Sequence, residues 1–359
     1  MTKVYGHEVQ SDSSRIFLKK TMNSVKISPI GLLVLAFVGA LALYYVQQSW
    51  WGHEIEVSTS ADEISMKQLL SAAIYAAEKG GVEVVKVRKD ADLEEKSKGK
   101  TLEGANNPVT AGDMKSHEAI VYSLKVTFDG LPVVSEEKED KPWDKTKVKK
   151  LEVNHPDVKS IITDDQMIPI KDVVVWVDPL DATQEYTENL VHYVTTMVCV
   201  AIKGEPVIGV IHKPFSDQTT WAWVGHGHSA NLKSPPYKVS MKESPNIIVS
   251  RSHAGAVKGV AEETFGKEVN VIKAGGAGYK VLELFAGNAD AYIHTTLIKK
   301  WDICAGNALL KEMSSKMTTL SGESIGYEYQ SDPKNDGGLL ASIWDHDNFL
   351  KKLSSAKGV

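Results

Sequence analysis

One short stretch of the sequence, Trp176 to Tyr186, constrains the fold of this chain more than any other. The β-branched residues that lead into it predict a buried strand. Pro179 is expected to end that strand, because proline has no N–H to donate to a neighbouring strand. Asp178 and Asp181 would therefore follow a strand, which predicts a pair of carboxylates at the edge of a sheet.

A helix is expected directly after this pair, over residues 182–190. The backbone N–H groups of Ala182 and Thr183 would then lie at a helix N-terminus, where anions bind. Carboxylates beside an anion site are typical of a Mg²⁺ ion that bridges protein oxygens to a substrate phosphate. The alternative is structural, since Asp178 and Asp181 could simply shape a turn and cap a helix.

The rest of the sequence is that of a globular protein, with 359 residues of which 42% are hydrophobic and 24% charged. A chain of this length can bury a large core. Its net charge of −5 gives no electrostatic reason to expect nucleic-acid binding. The two cysteines, Cys199 and Cys304, lie inside apolar runs, and we interpret them as small buried hydrophobic residues rather than a disulfide framework.

An uncharged run near the N-terminus, Pro29 to Val46, is the exception to globular character. At about 1.5 Å per residue, a helix of this length comes close to the roughly 30 Å hydrocarbon core of a bilayer. Basic residues precede the run, and tyrosines and tryptophans follow it as an interfacial belt. We interpret it as one transmembrane helix whose basic side stays in the cytosol; a cleaved signal peptide is the alternative.

This orientation predicts a single-pass type II membrane protein. Its parts would be a cytosolic tail (1–28), an anchor (29–51), a linker (52–59) and a lumenal domain (60–359).

Further acidic residues follow predicted strands or begin predicted helices. The strand candidate 131–134 is followed by Glu136 and Glu137, while Asp113 and Asp302 each stand at the start of a helix. Ligands collect at the carboxyl ends of strands in open α/β sheets, so Glu136 could join the central carboxylates at a metal site. Each position has a simpler interpretation, because helix caps and solvated glutamate pairs are common.

Other patterns predict local structure. Ser60 and Glu63 form a capping-box pattern for a helix that would end at Gly80 and Gly81. Three β-rich runs between residues 193 and 224 predict an antiparallel meander. A glycine-rich turn between Ala274 and Lys280 then opens a helix. Such a turn can hold a phosphate, but it is as often simple turn chemistry.

Taken together, these motifs resemble the family of magnesium-dependent, lithium-sensitive phosphomonoesterases that includes inositol monophosphatase. The matching pieces, in the family's order, are Glu136-Glu137, Trp176 to Thr183, and Trp301 to Gly306. The resemblance runs from about Ser60 to the C-terminus. It implies an α/β fold, the layered αβαβα sandwich of that family, here preceded by the N-terminal transmembrane helix.

The resemblance also implies two or more Mg²⁺ ions and a set of ligands. One ion would be held by Glu136, Asp178 and the carbonyl of Leu180, and a second by Asp178, Asp181 and Asp302. Asp113 and Thr183 would orient and deprotonate the attacking water. Most of the family has glycine at the position of Ala182, but alanine leaves the N–H available to a phosphate.

Within the family, several segments are similar to the Golgi enzymes that remove the 3′-phosphate of 3′-phosphoadenosine 5′-phosphate, a by-product of lumenal sulfotransferases. Residues 60–240 would then form a metal-site half and residues 241–359 a substrate-binding half. The substrate would contact Ala182, Thr183, Ser250, His253, Gly276, Lys280 and Lys299. Two alternatives remain: an inositol phosphate phosphatase of the same family, and a membrane-anchored binding protein without activity.

Overall fold

The computed structural model describes residues 63–90, 92–100, 104, 106–138, 142–235, 244–251 and 257–355. These residues all lie in one compact unit, Thr59–Val359. The predicted tail, anchor and linker lie outside the described residues. No helix in the described part of the chain is long and apolar enough to cross a membrane.

Strands and helices are interspersed along the described part of the chain. The strands are β1 (Glu63–Ser65), β2 (Lys96–Lys100), β3 (Asn106–Val109), β4 (Val133–Ser135), β5 (Met167–Pro169), β6 (Val173–Asp181), β7 (Thr195–Ile202), β8 (Glu205–Lys213), β9 (Gln218–Trp223), β10 (Gly227–His228), β11 (Asn246–Ser250), β12 (Asn270–Ala274), β13 (Ala291–His294), β14 (Ile298–Lys299), β15 (Lys316–Thr318), β16 (Lys334–Asn335) and β17 (Leu339–Ser342).

The α-helices are α1 (Met66–Asp90), α2 (Ala111–His117), α3 (Ser123–Thr127), α4 (Pro156–Ile161), α5 (Thr183–Thr187), α6 (Val257–Phe265), α7 (Ala277–Phe285), α8 (Lys300–Glu312) and α9 (His346–Ser354). A π-helical turn, Glu118–Tyr122, joins α2 to α3, so the helix predicted to start at Asp113 is confirmed. Single 3₁₀ turns are formed by Lys145–Lys147, Ile170–Asp172 and Val191–Tyr193.

Strand β6 is buried on both faces, and its alternating side chains enter two different cores. Val173, Val175 and Val177 pack against α1 and the segment that contains α3. Val174 and Trp176 point the other way, into a core shared with α7 and α8. A strand with helices on both faces reads as a continuous apolar run, which is the pattern that the sequence shows here.

Two large sheets lie on either side of α7 and α8. The first is a six-stranded sheet in the order β10-β9-β8-β7-β6-β4, antiparallel except for the parallel pair β4 and β6. Strands β7, β8 and β9 form the predicted antiparallel meander. The second sheet has the order β12-β11-β13-β17-β15, and α6 and α9 cover its outer face. The layers are helices, sheet, helices, sheet, helices, which confirms the predicted αβαβα sandwich.

Helix α1 differs from its prediction at both ends. Residues Glu63–Ser65 form strand β1 and pair with β5, so the predicted capping box at Ser60 and Glu63 is wrong. The helix also continues through Gly80 and Gly81 to Asp90. These glycines allow close packing rather than ending the helix, because an added Cβ would lie 2.5 Å from Ile120 or from His212, respectively.

Pro179 does not end strand β6, contrary to expectation. Between Asp178 and Asp181 the strand carries one more residue than its partner β7, which forms a β-bulge. Proline is tolerated at a bulge because the ladder there needs no N–H from it. The bulge keeps Asp178 and Asp181 on one strand and changes the direction of the backbone between them.

The two cysteines are joined, which corrects their interpretation as small buried hydrophobic residues rather than a disulfide framework. Cys199 in β7 and Cys304 in α8 form a buried disulfide across 105 residues of sequence. Spacing could not reveal the pair, because both residues lie in apolar runs that also suit a free thiol.

Candidate active site

Three acidic side chains from separate elements converge at one edge of the first sheet. Glu136 follows β4, Asp178 lies in β6, and Asp302 is in the first turn of α8. One carboxylate oxygen from each residue lies within 4.8 Å of the others. The predicted metal ligands Glu136, Asp178 and Asp302 are thus brought together, at a separation that one divalent cation can bridge.

The electrostatics of this cluster favour a cation. Burial raises the pKa of Asp178 well above its usual value, and the charges of Glu136, Asp181 and Asp302 raise it further. Asp302 shows the same pattern, with burial as the main cause of its raised pKa and Glu136 next. Buried carboxylates this close repel one another, and a bound divalent cation relieves that repulsion. The donor set is all oxygen, which fits Mg²⁺.

A lysine that the sequence analysis missed binds the exposed side of the cluster. Lys98, in the β2–β3 hairpin, places Nζ 2.7 Å from Glu136 Oε1 and 2.6 Å from Glu137 Oε1. Burial alone would lower the pKa of Lys98, but these two carboxylates raise it above its usual range. No motif marks Lys98, since a charged hairpin is common on protein surfaces.

Thr183 and Asp113, which were predicted to act together on the attacking water, lie in hydrogen-bond contact. Thr183 Oγ1 lies 2.9 Å from Asp113 Oδ1 and 3.1 Å from the carbonyl oxygen of Leu180. Asp113 Oδ2 accepts hydrogen bonds from the backbone N–H and the hydroxyl of Thr110. Thr110 also caps α2, so Thr110 and Asp113 form a capping box. That signature could have been read from the sequence, and it fixes the carboxylate of Asp113 towards Thr183.

Asp113 is a strong candidate for a proton acceptor. Burial raises the pKa of Asp113 to about 7, the hydrogen bonds from Thr110 oppose that shift, and the charges of Glu136 and Glu137 add to it. A carboxyl group with a pKa near neutrality can both take up and release a proton at physiological pH.

Asp181 makes contacts that were not predicted for it. Its Oδ1 accepts the backbone N–H of Ala277 at 3.0 Å, and its Oδ2 accepts that of Gly278 at 2.8 Å and the hydroxyl of Thr195 at 3.0 Å. Asp181 therefore joins the first sheet to the N-terminus of α7. Its oxygens lie outside the cluster of three ligands, but Oδ1 accepts only one hydrogen bond and keeps a lone pair for a cation.

Gly276 allows Asp181 to lie close to the N-terminus of α7. Its φ of 66° is in the region that favours glycine, and an added Cβ would lie 2.9 Å from Asp181 Oδ2. The glycine-rich turn thus positions Asp181 directly. Ala182 has a φ of 72° in the same unfavourable region and precedes the short helix α5.

The predicted substrate residues lie around one cavity of about 720 Å³ that also contains the carboxylate cluster. Its lining includes Ala182, Thr183, Ser250, Gly276, Lys280 and Lys299. His253 lies outside the described residues. The lining also includes residues that the sequence analysis did not select: Lys98, Glu185, Tyr292, Trp301 and Lys334.

Lys280 is at the base of the cavity and is almost fully buried. Its ammonium donates to the carbonyl oxygens of Gly276 and Ala274 and lies 5.1 Å from the centre of the Tyr292 ring. Burial lowers the pKa of Lys280 to about 8, and the charges of Asp181 and Glu185 limit the shift. Its charge is therefore available to a ligand only through a group that reaches the base of the cavity.

Comparison with known proteins identifies the family to which the chain belongs. Residues 65–357 match the model of the "Inositol monophosphatase family". The chain is 44% identical over 336 residues to a Danio rerio protein named "Inositol monophosphatase 3", with 92% of this chain and 96% of that protein covered. It is also 44% identical over 350 residues to the Mus musculus "Golgi-resident adenosine 3',5'-bisphosphate 3'-phosphatase", with the same coverage of both chains.

Solved structures share the fold at low sequence identity. The extragenic suppressor protein suhB from Bartonella henselae matches with a TM-score of 0.61 and 19% identity, covering 81% of this chain and 99% of that one. CysQ from Bacteroides thetaiotaomicron, titled "a bacterial member of the inositol monophosphatase family", matches with a TM-score of 0.55 and 24% identity, covering 78% and 99%. The family match and the curated relatives, which cover almost the whole chain, show that this protein belongs to the inositol monophosphatase family.

Proposed function

We propose that this chain is a Mg²⁺-dependent phosphomonoesterase that converts 3′-phosphoadenosine 5′-phosphate to AMP and phosphate. The observation that carries the proposal is the convergence of Glu136, Asp178 and Asp302 beside the hydrogen-bonded pair of Thr183 and Asp113. Metal ligands and a proton acceptor in one cavity are what hydrolysis of a phosphate ester requires.

The proposed metal ligands are the carboxylates of Glu136, Asp178, Asp181 and Asp302 and the carbonyl of Leu180, for two or more ions. When bound, Mg²⁺ acidifies water and neutralises charge on the phosphoryl and leaving oxygens. The raised pKa values of Asp178 and Asp302 support this assignment, because a cation would keep both groups ionised.

The chain's own residues would orient and deprotonate the nucleophile. Thr183 Oγ1 lies between the carboxylate of Asp113 and the carbonyl of Leu180, so its hydroxyl can accept a hydrogen bond from water and pass on a proton. Asp113 is buried and held on its other oxygen by Thr110, which leaves Oδ1 to receive that proton. No covalent enzyme intermediate is needed for this route.

The choice of nucleotide over inositol phosphate is supported by the relatives' names and by the charge of the cavity. Relatives from mouse, rat and human at 42–44% identity are named adenosine 3',5'-bisphosphate 3'-phosphatases. Lys280 and Lys299 line the cavity together with the acidic cluster, and a substrate with two phosphates would use positive charge beyond the metal ions. His253 is proposed to contribute as well.

We also propose the cellular setting and the division of the chain. The catalytic domain, residues 60–359, would lie in the Golgi lumen behind the single anchor 29–51, where it would remove a by-product of sulfotransferases. Residues 60–240 would supply the metal-site half and 241–359 the substrate-binding half. The disulfide between Cys199 and Cys304 supports an oxidising compartment such as the secretory lumen.

An inositol phosphate phosphatase is the second candidate, and the name "Inositol monophosphatase 3" given to relatives at 44% identity favours it. A binding protein without activity is disfavoured, because such a scaffold commonly lacks a ligand whereas Glu136, Asp178 and Asp302 are all present and adjacent.

The decisive experiment is phosphate release by the full-length chain with Mg²⁺. The substrates to compare are 3′-phosphoadenosine 5′-phosphate, inositol 1,4-bisphosphate and inositol 1-phosphate. Preference for the nucleotide is expected. Preference for an inositol phosphate would keep the mechanism and overturn the substrate, whereas release from none of them would favour the binding protein.

A further inference from the structure

A small two-stranded sheet beside the carboxylate cluster brings two lysines together. Strands β14 and β16 pair antiparallel, with Ile298 opposite Asn335 and Lys299 opposite Lys334. The backbone N–H of Lys300 also donates to the carbonyl oxygen of Pro333 at 2.8 Å, which extends the pairing by one residue. The register of the two lysines is therefore fixed on both sides.

The side chains of these strands alternate in exposure, although Ile298 lines the cavity as well as the two lysines. Ile298 and Asn335 are buried, and Asn335 donates to the carbonyl oxygen of Gly338. Successive side chains of a strand point to opposite faces, so Lys299 and Lys334 share the other face. Directly opposite residues have Cβ atoms only about 5 Å apart, and both lysines line the cavity that contains Asp178 and Asp302.

Two like charges lie in this position, and the charge of Lys299 interacts with the buried carboxylate of Asp302, where it opposes the rise in the pKa of that group. Like charges directly opposite each other on a sheet are unfavourable. Lys299 lies over the Trp301 ring, with Nζ 5.6 Å from the ring centre. Within the part of the chain that the structure describes, neither lysine forms an ion pair with a carboxylate.

Four other lysines line the cavity: Lys98, Lys100, Lys138 and Lys280. Lys98 binds Glu136 and Glu137, and Lys280 is buried against backbone carbonyl oxygens. Among the lysines that line the cavity, Lys299 and Lys334 are held opposite each other by strand pairing, next to the helix that bears Asp302. The backbone N–H of Lys299 donates to Asp302 Oδ2 at 3.2 Å, which ties the lysine pair to the proposed metal site.

We propose that Lys334, together with Lys299, forms a clamp for the second phosphate of a bisphosphorylated substrate, the phosphate that is not hydrolysed. The inference rests on the proposed phosphatase function and assigns Lys334 a role in substrate specificity. The phosphate that is cleaved lies at the carboxylate cluster, and the distal phosphate lies between the two ammonium groups. A monophosphorylated substrate leaves the clamp empty.

The test compares two substrates that differ only in the distal phosphate. Lys334→Met, Lys299→Met and the double variant are made in the full-length chain, and kcat/KM is measured for 3′-phosphoadenosine 5′-phosphate and for adenosine 3′-monophosphate. Lys267→Met is the control, since Lys267 is an exposed lysine of the same half of the chain that does not line the cavity. The ratio of kcat/KM for the bisphosphate to that for the monophosphate should fall about tenfold for Lys334→Met and stay unchanged for Lys267→Met.

The contrary result is an unchanged ratio, which would assign the second phosphate to other residues and overturn the clamp. Added salt should reduce the ratio in the wild type more than in the double variant, because the clamp acts through charge. If the wild type hydrolyses neither nucleotide, the proposed function fails, and inositol 1,4-bisphosphate and inositol 1-phosphate replace the nucleotides. A fall of the ratio for that pair would retain the clamp, and a constant ratio would reject it.

Discussion

The hydroxyl of Thr183 lies 2.9 Å from Asp113 Oδ1, although 70 residues separate the two in sequence. The contact joins the start of α5 to the first turn of α2 beside the carboxylate cluster. Asp113 accepts this hydroxyl on Oδ1 and Thr110 on Oδ2, so the contact links the cavity to a buried carboxyl group whose pKa is about 7.

Two substitutions at Thr183 should distinguish the role of its hydroxyl group from the role of its side-chain volume. Thr183→Val removes the hydroxyl at nearly constant volume, and we expect kcat to fall by about 10²- to 10³-fold with a small change in KM. Thr183→Ser retains the hydrogen bond to Asp113 and should stay within about tenfold of the wild type by the same reasoning. Equal losses in both variants, measured by steady-state kinetics, would contradict a role for the hydroxyl.

Asp178→Asn should abolish turnover and yet stabilise the protein without metal. Asp178 is buried among like charges that raise its pKa, so a neutral amide removes repulsion on the order of 1 kcal/mol. Melting in EDTA should show a higher Tm, while phosphate release with Mg²⁺ should fall below detection. Asp172→Asn is the matched control, because Asp172 adjoins the opposite end of the same strand and pairs with Lys203 on the surface. Undiminished activity of Asp178→Asn would reject the proposed metal site.

Two glycine-to-alanine substitutions in helices should have opposite effects. An alanine Cβ at Gly81 would lie 2.5 Å from the buried ring of His212, so Gly81→Ala should cost about 1–3 kcal/mol. Gly259 in α6 has no atom within 4 Å of an added Cβ, so Gly259→Ala should stabilise by about 0.5–1 kcal/mol through helix propensity. Urea unfolding of both variants checks the difference, and the same sign for both would contradict it.

The two histidines that are buried in their neutral form should lower stability in mild acid. Burial lowers the pKa of His212 and of His346 from 6.5 to about 4. At these two sites the unfolded chain binds more protons than the folded one between those pH values, so their contribution to the free energy of unfolding decreases as pH falls from about 6.5 to about 4. Each histidine should contribute up to about 3 kcal/mol to this loss. The contribution of Asp113, whose pKa is raised, has the opposite sign.

His212→Gln isolates one of these contributions. Thr219 gives its one hydroxyl proton to Glu78 Oε1, so His212 Nδ1 must donate to Thr219, which fixes the neutral tautomer. The slope of the free energy of unfolding against pH, measured with saturating Mg²⁺, should correspond to up to one proton fewer in the variant than in the wild type. An identical slope in wild type and variant would show that His212 does not titrate in this window.

Loss of the disulfide should lower stability substantially. Cys199 and Cys304 close a loop of 105 residues, and restricting so long a loop in the unfolded chain is worth about 2–5 kcal/mol. The double variant Cys199→Ser with Cys304→Ser should therefore melt at a lower temperature. When the wild type is unfolded and refolded in dithiothreitol, its Tm should shift towards that of the variant. The same treatment should leave the Tm of the variant unchanged. An equal Tm for both proteins would argue that the pair is a free dithiol.

Much of the fold follows from local pattern, and the failures have identifiable physical causes. The run at 173–177 is β-branched and apolar, and it forms a central strand as expected. Pro179 stays in that strand because a bulge accommodates it, and a bulge depends on the partner strand. Gly80 and Gly81 have the sequence of a helix end, but the close approach of Ile120 and His212 decides their role.

The candidate site likewise contains residues that the local sequence identifies and residues that only the tertiary structure brings to the cavity. Asp113, Asp178 and Asp302 could be selected because each carboxylate follows a strand or begins a helix within a recognised motif. Lys98 and Lys334 could not, since a lysine in a charged hairpin or in a two-residue strand has no local signature. Their positions at the cavity depend on which strands pair, and that is a property of the whole fold.

The separate positions of the proposed metal ligands in the sequence set the order in which the protein can become active during its synthesis. Glu136 and Asp178 leave the ribosome long before Asp302, and the helix that carries Asp302 must dock on the first sheet to complete the cluster. A nascent chain is therefore expected to lack activity until Asp302 has emerged from the ribosome. A truncated product that ends before Asp302 should be inactive even where its first sheet is fully folded.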